Sequence, residues 1–176
     1  MKRLFLVLFA TSGCSLLANV EVGYAHAVAK SPEQAAVALN GNLGFGAGNV
    51  GGAGAGAGVM LRTKIGPNVQ QVAWGPMAYA GSSLGADSKI AFAAIGGFHL
   101  LQFENVHTAI DGDTFGFGMF SPVAEALMFI RPARMSLGVA AEYDVRFTSV
   151  HNTGYVSFLI GYGAFGAGGT GGGLRY

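Results

Sequence analysis

Charged residues spaced to share one side of a sheet are the first chemistry this sequence offers. Met135 to Thr148 reads M-S-L-G-V-A-A-E-Y-D-V-R-F-T. Side chains alternate along a strand. Leu137, Val139, Ala141, Tyr143, Val145 and Phe147 therefore share one face, and Ser136, Gly138, Ala140, Glu142, Asp144, Arg146 and Thr148 the other. If Pro132-Ala133 is a two-residue turn, Met128 opposes Leu137 and Glu125 opposes Ala140. That brings Glu125 to the polar face near Glu142, with Arg146 beside it and Arg62 reaching in from an earlier strand. A carboxylate removed from water needs a partner. Arg62, Glu125, Glu142 and Arg146 are thus read as an interior network that fills and plugs a closed sheet. Surface charges near a rim fit the same residues, and both readings stay open. In this register Phe115 and Phe117 point inward unless a bulge near Ser121-Pro122 flips the parity.

Other reactive residues point to little. The histidines are His26, His99, His107 and His151, and no HExxH or similar spacing occurs. No catalytic, cofactor-binding or metal-binding residue is expected, and no cofactor. The glycine-rich runs contain neither GxxxxGK[ST] nor a strand–GxGxxG–helix unit. Cys14 is the one cysteine, which excludes a disulfide or a thiolate metal cluster within the chain. Thr11-Ser12-Gly13-Cys14 loosely resembles a bacterial lipobox, with Thr11 where Leu is usual, so lipidation of Cys14 is an alternative.

The elements that would position these residues are strands. Of 176 residues, 51% are hydrophobic and 11% charged, with 30 glycines and a net charge of +1. Soluble domains average roughly 25% charged residues. No basic run occurs, so no nucleic-acid partner is expected. Lys2 and Arg3 followed by apolar Leu4 to Ala10, with small residues at Ala25, Ala27 and Ala29, read as an export leader cleaved near residue 29. Ser31-Pro32-Glu33-Gln34 and Asn40-Gly41 read as start and stop of a short helix, Pro32 to Leu39, in a lead-in over residues 30–42. From Leu43 on, uncharged stretches alternate with charged, turn-rich punctuation. Eight strands are predicted: Leu43–Asn49, Ala53–Lys64, Val69–Gly81, Lys89–Phe103, Thr114–Ile130, Arg134–Thr148, Tyr155–Ala164 and Gly168–Tyr176. The fourth reads as buried on both faces, and Gly51-Gly52 as a hairpin turn. The fold class is all-β, a small antiparallel up-and-down transmembrane barrel over residues 43–176.

Gly171-Gly172-Gly173-Leu174-Arg175-Tyr176 resembles the C-terminal assembly signal of bacterial outer-membrane barrels. Gly171, Leu174 and Tyr176 carry it, with Leu174 where another aromatic is usual. With the alternation and the leader, the chain resembles the small eight-stranded outer-membrane barrels, including the OmpX-like and OmpW-like groups and the membrane domain of OmpA. That resemblance carries no residue-by-residue signature.

It implies an exported protein in the outer membrane of a Gram-negative bacterium, with membrane lipid and the outer-membrane assembly machinery as partners. The expected role is non-enzymatic: a structural barrel, or one whose narrow lumen passes a small hydrophobic ligand. Two alternatives remain. A secreted or periplasmic soluble barrel binding an apolar ligand would turn its apolar faces inward. A lipid-A-modifying barrel enzyme is suggested loosely by His151-Asn152-Thr153, though no serine follows two positions on. With Tyr176 at the periplasmic side, the predicted strands put the tight Arg131–Arg134 turn outside and the longer Glu104–Asp113 connection inside, the reverse of usual barrels.

Overall fold

The structure, a computed structural model, describes residues 13–28, 35–49, 51–84, 88–108, 112–147 and 152–168. Ten strands follow in order: β1 Gly13–Ala27, β2 Ala35–Gly48, β3 Ala53–Ile65, β4 Val69–Ser83, β5 Ile90–His99, β6 Leu101–Thr108, β7 Gly112–Gly118, β8 Ser121–Ile130, β9 Met135–Asp144 and β10 Thr153–Ala167. β5 with β6, and β7 with β8, are each one stave broken by a bulge. Eight staves result, each antiparallel to its sequence neighbours. β1 pairs with β10, Ser15 opposite Ala167 through to Ala27 opposite Tyr155, and this closes the barrel. Closure satisfies the edge backbone groups that lipid cannot.

Two findings concern the N-terminal part, and one of them corrects an expectation. β1 lies within the span expected as a leader, yet it is the seam that joins β2 to β10. The described barrel therefore includes Gly13–Ala27 as well as the residues from Leu43 on, and cleavage near residue 29 would remove that stave. Over its described residues, 35–39, the expected helix is replaced by strand β2. Val37 and Leu39 point outward and Ala36 and Ala38 inward along β2. A lone eight-residue helix is marginal, whereas pairing to β1 gives this backbone a ladder. The eighth predicted strand falls outside the described residues except Gly168, as do Gly171, Leu174 and Tyr176.

The bulges explain two puzzles of the sequence. Inward positions run Ala91, Ala93, Ile95 and His99 before Leu100, then Gln102, Glu104 and Val106 after it. Parity flips because Leu100 is an extra residue against β4, where Met77 opposes Gly97 but Trp74 opposes Leu101. The fourth predicted strand is therefore not buried on both faces: Phe92, Phe98 and Phe103 all point outward. A matching break at Met119-Phe120, with Phe120 at φ 56°, turns Phe115 outward while Gly116 faces the lumen.

Gly52 turns the β2–β3 hairpin at φ 85°, its N–H donating to the Asn49 carbonyl at 3.1 Å. Gly44 lies beneath the Tyr79 ring, which stands 2.6 Å from where a Cβ would be. Arg131–Ala133 form a tight 3₁₀ turn, and Ile130 pairs with Met135. The strand order puts this turn at the end of the barrel that holds Gly13 and Ala167, here the near end. The C-terminal ends of β1, β6 and β9 and the N-terminal ends of β2, β7 and β10 are at the far end, and β6 ends at Thr108 with β7 starting at Gly112.

The interior is layered. Towards the near end, Leu17, Met60, Met77, Tyr79, Phe129 and Phe165 form an apolar plug, with the Ser15 and Tyr79 hydroxyls 2.8 Å apart. Small residues such as Ala36, Val69 and Val106 line the far end. Charge sits between. Outward, the barrel shows Val20, Leu43, Leu61, Trp74, Val139 and Phe158.

Candidate functional site

Each functional side chain in the lumen is aimed there by strand parity. The described strands contain eight Asp, Glu, Lys or Arg residues. Glu21, Arg62, Lys64, Glu104, Glu125, Glu142 and Asp144 are buried, and the exception, Asp113, sits exposed at the far end. There it lies 3.0 Å from the His107 ring nitrogen. Outward aromatics pack on one another: Phe103 on Phe117 and Phe117 on Phe147 towards the far end, and Phe98 on Phe120 at mid-height beside the bulges. An apolar band with aromatic edges and a charged interior is what a strand-walled membrane span requires. A soluble ligand-binding barrel would need the opposite arrangement of faces.

Two clusters make up the charged layer. In the first, Arg62 from β3 donates through Nη2 to Glu125 Oε2 of β8 at 2.6 Å and through Nη1 to Asn42 Oδ1 of β2 at 2.9 Å. Asn42 Nδ2 donates to the same Glu125 oxygen at 2.8 Å, closing a triangle across three staves. Glu21 of β1 lies against Glu125 and Ser136.

The second cluster is nearer the far end. Lys64 donates to Gln71 Oε1 at 2.6 Å and to Glu142 Oε2 at 2.7 Å, reaches Asp144 Oδ2 at 3.5 Å, and lies 4.5 Å over the Tyr155 ring. Gln71 Nε2 donates to Asp144 Oδ2 at 2.8 Å. Arg146, which follows β9, ion-pairs with Glu104 and donates to Thr153 Oγ1 at 2.9 Å. Ser121 Oγ donates to Gln102 Oε1 and accepts the Val145 N–H, both at 2.9 Å, which ties the β7–β8 break to β9. His99, at the other break, projects into this cluster with its Nε2 3.9 Å from Glu142 Oε2.

The four residues read from the sequence are thus split. Arg62 and Glu125 meet directly, and Glu125 does oppose Ala140. Glu142 belongs with Lys64, and Arg146 with Glu104. Lys64, Gln71 and Glu104 were missed, although Lys64 shares its strand face with Arg62 two residues away. Glu21 was hidden by the leader assignment.

These clusters fill the cross-section. Arg62, Lys64, Gln71, His99, Gln102 and Glu104 are each 0–2% exposed. Exposure that low leaves no water-sized space beside them. Eight staves enclose an interior just wide enough for side chains to fill.

Fold and lumen together define a small eight-stranded transmembrane β-barrel. Among solved structures, the chain is similar to the crystal structure of Neisserial surface protein A (NspA), with a TM-score of 0.46 and 11% identity, covering 86% of this chain and 97% of that chain. No protein-family model matches the sequence, and no curated protein matches it.

Proposed function

We propose that this protein is a non-enzymatic outer-membrane barrel of a Gram-negative bacterium, built as a structural element with a plugged lumen. One observation carries this: every strand charge but Asp113 is turned into a lumen that those same side chains occupy. Lipid outside and charge inside are then each in a medium that tolerates them. Outer-membrane lipid is the proposed partner of the apolar band, and the assembly machinery the partner in insertion. The near end would face the periplasm, which puts the tight Arg131–Arg134 turn on the side where such barrels keep short turns.

The test combines fractionation with electrophoresis. The protein should appear in the outer-membrane fraction, with a band that shifts on boiling in detergent. In planar bilayers the refolded barrel should give no steady conductance. A soluble, heat-insensitive protein overturns the membrane assignment, and steady ion flow overturns the plug.

A second reading, lateral passage of a small hydrophobic solute, draws on one feature. A cavity of about 570 Å³ near Arg131 and Arg134 is lined both by outward Val20 and Tyr162 and by inward Phe129 and Phe165. Under this reading Phe129→Trp slows uptake of such a solute into proteoliposomes.

A further inference from the structure

The lumen's charges do not balance. Among the described residues, five buried carboxylates (Glu21, Glu104, Glu125, Glu142 and Asp144) face three buried cations (Arg62, Lys64 and Arg146), a formal excess of two negative charges with His99 neutral. Unbalanced charge away from water is costly. A dication would remove the excess.

One place is built to take it. His99, Glu142 and Asp144 each offer a ligand atom, and these atoms lie within 4.8 Å of one another. His99 is fully buried, and neither of its ring nitrogens has a hydrogen-bond partner. Glu142 Oε1 and Asp144 Oδ1 likewise have none. The oxygens that Lys64 and Gln71 engage are the other two, Glu142 Oε2 and Asp144 Oδ2. Each carboxylate therefore has one oxygen free while the other keeps its protein partner, and both His99 nitrogens are free.

We propose that His99, Glu142 and Asp144 bind one divalent transition-metal ion of the zinc type. One imidazole and two carboxylates are a borderline donor set suited to such ions. Calcium prefers six to eight oxygens and magnesium an octahedral shell that keeps its waters, and this pocket supplies neither. Bond lengths near 2.0–2.2 Å place tetrahedral ligand atoms roughly 3.4 Å apart. His99 Nε2 lies 3.9 Å from Glu142 Oε2, which sets the imidazole beside the carboxylate whose other oxygen, Oε1, has no partner. The Lys64 ammonium opposes the ion and keeps the site weaker than its ligands alone would make it.

The test uses the full chain refolded in detergent, stripped with a chelator and titrated with Zn²⁺ by calorimetry and with Co²⁺ by visible absorption. The site predicts one equivalent bound, a raised unfolding temperature and a Co²⁺ band of low-symmetry coordination. His99→Gln should abolish all three in a band that still shifts on boiling. His107→Gln, which alters the exposed rim pair, should change none. Lys64→Met should tighten binding at least tenfold. If His99→Gln does not fold, Co²⁺ must broaden the His99 ring resonances of the unaltered protein. A folded barrel that binds no metal, or that loses binding with His107→Gln and keeps it with His99→Gln, overturns the proposal.

Discussion

Replacing Arg62 by methionine leaves Glu125 buried against Glu21 with its ion pair gone. Removing one partner of a buried pair costs about 3–5 kcal/mol, so Arg62→Met should lower the unfolding free energy of the refolded barrel by about that much in a urea titration. Adding Glu125→Leu should recover most of the loss, because the stranded charge goes with it. Equal stability of the single variant and the parent would show that the triangle with Asn42 contributes nothing. Tyr79→Phe probes the apolar layer instead. It removes one buried hydroxyl contact, with Ser15, and should cost about 0.5–1.5 kcal/mol.

The bulges belong to the scale of the element. Leu100 is one residue, yet it decides which side of the wall the next stave presents. Its deletion should force Gln102 and Glu104 toward lipid or break the ladder to β4, and the heat-shifted band should be lost. Leu100→Ala keeps the bulge and should fold, which separates parity from side-chain loss. A folded deletion variant would show that β6 can re-register. Alternation was legible within β4, β9 and β10, where one parity runs from end to end. It was illegible through Lys89–Phe103, because two half-strands of opposite parity add up to a segment that looks apolar on both faces. The glycines of β7 gave the same difficulty, and the flip near Ser121 was the condition under which Phe115 could face outward.

For the whole molecule, closure is the governing constraint. A chain beginning at Lys30 lacks β1 and leaves facing edges on β2 and β10. Unpaired backbone groups in lipid cost several kcal/mol each. Such a chain should give no heat-shifted band, while one beginning at Gly13 should give it. If the shorter chain folds, β1 is not the seam. The count of eight staves was reachable from the sequence, but its frame was displaced. The leader reading and β1 cover the same residues, and the eighth predicted strand lies outside the described residues except Gly168. Nothing in Leu16-Leu17-Ala18-Asn19-Val20 distinguishes an export segment from a strand until β10 is present to pair with it.

The sequence by itself determined that this chain makes strands with one apolar and one polar face, with too little charge for a soluble surface. Those properties follow from residue type and a period of two, both local. It also determined that Arg62 and Glu125 could meet, since the short turn at Pro132-Ala133 fixes the register of β8 on β9. Tertiary structure alone decided which carboxylate each cation takes, that Glu21 is in the lumen, and that His99 stands beside Glu142 and Asp144. The cation–carboxylate pairings cross the barrel between residues as many as 80 positions apart, as Lys64 and Asp144 are. They depend on closure, on the two bulges and on the width of the lumen, none of which any single segment encodes.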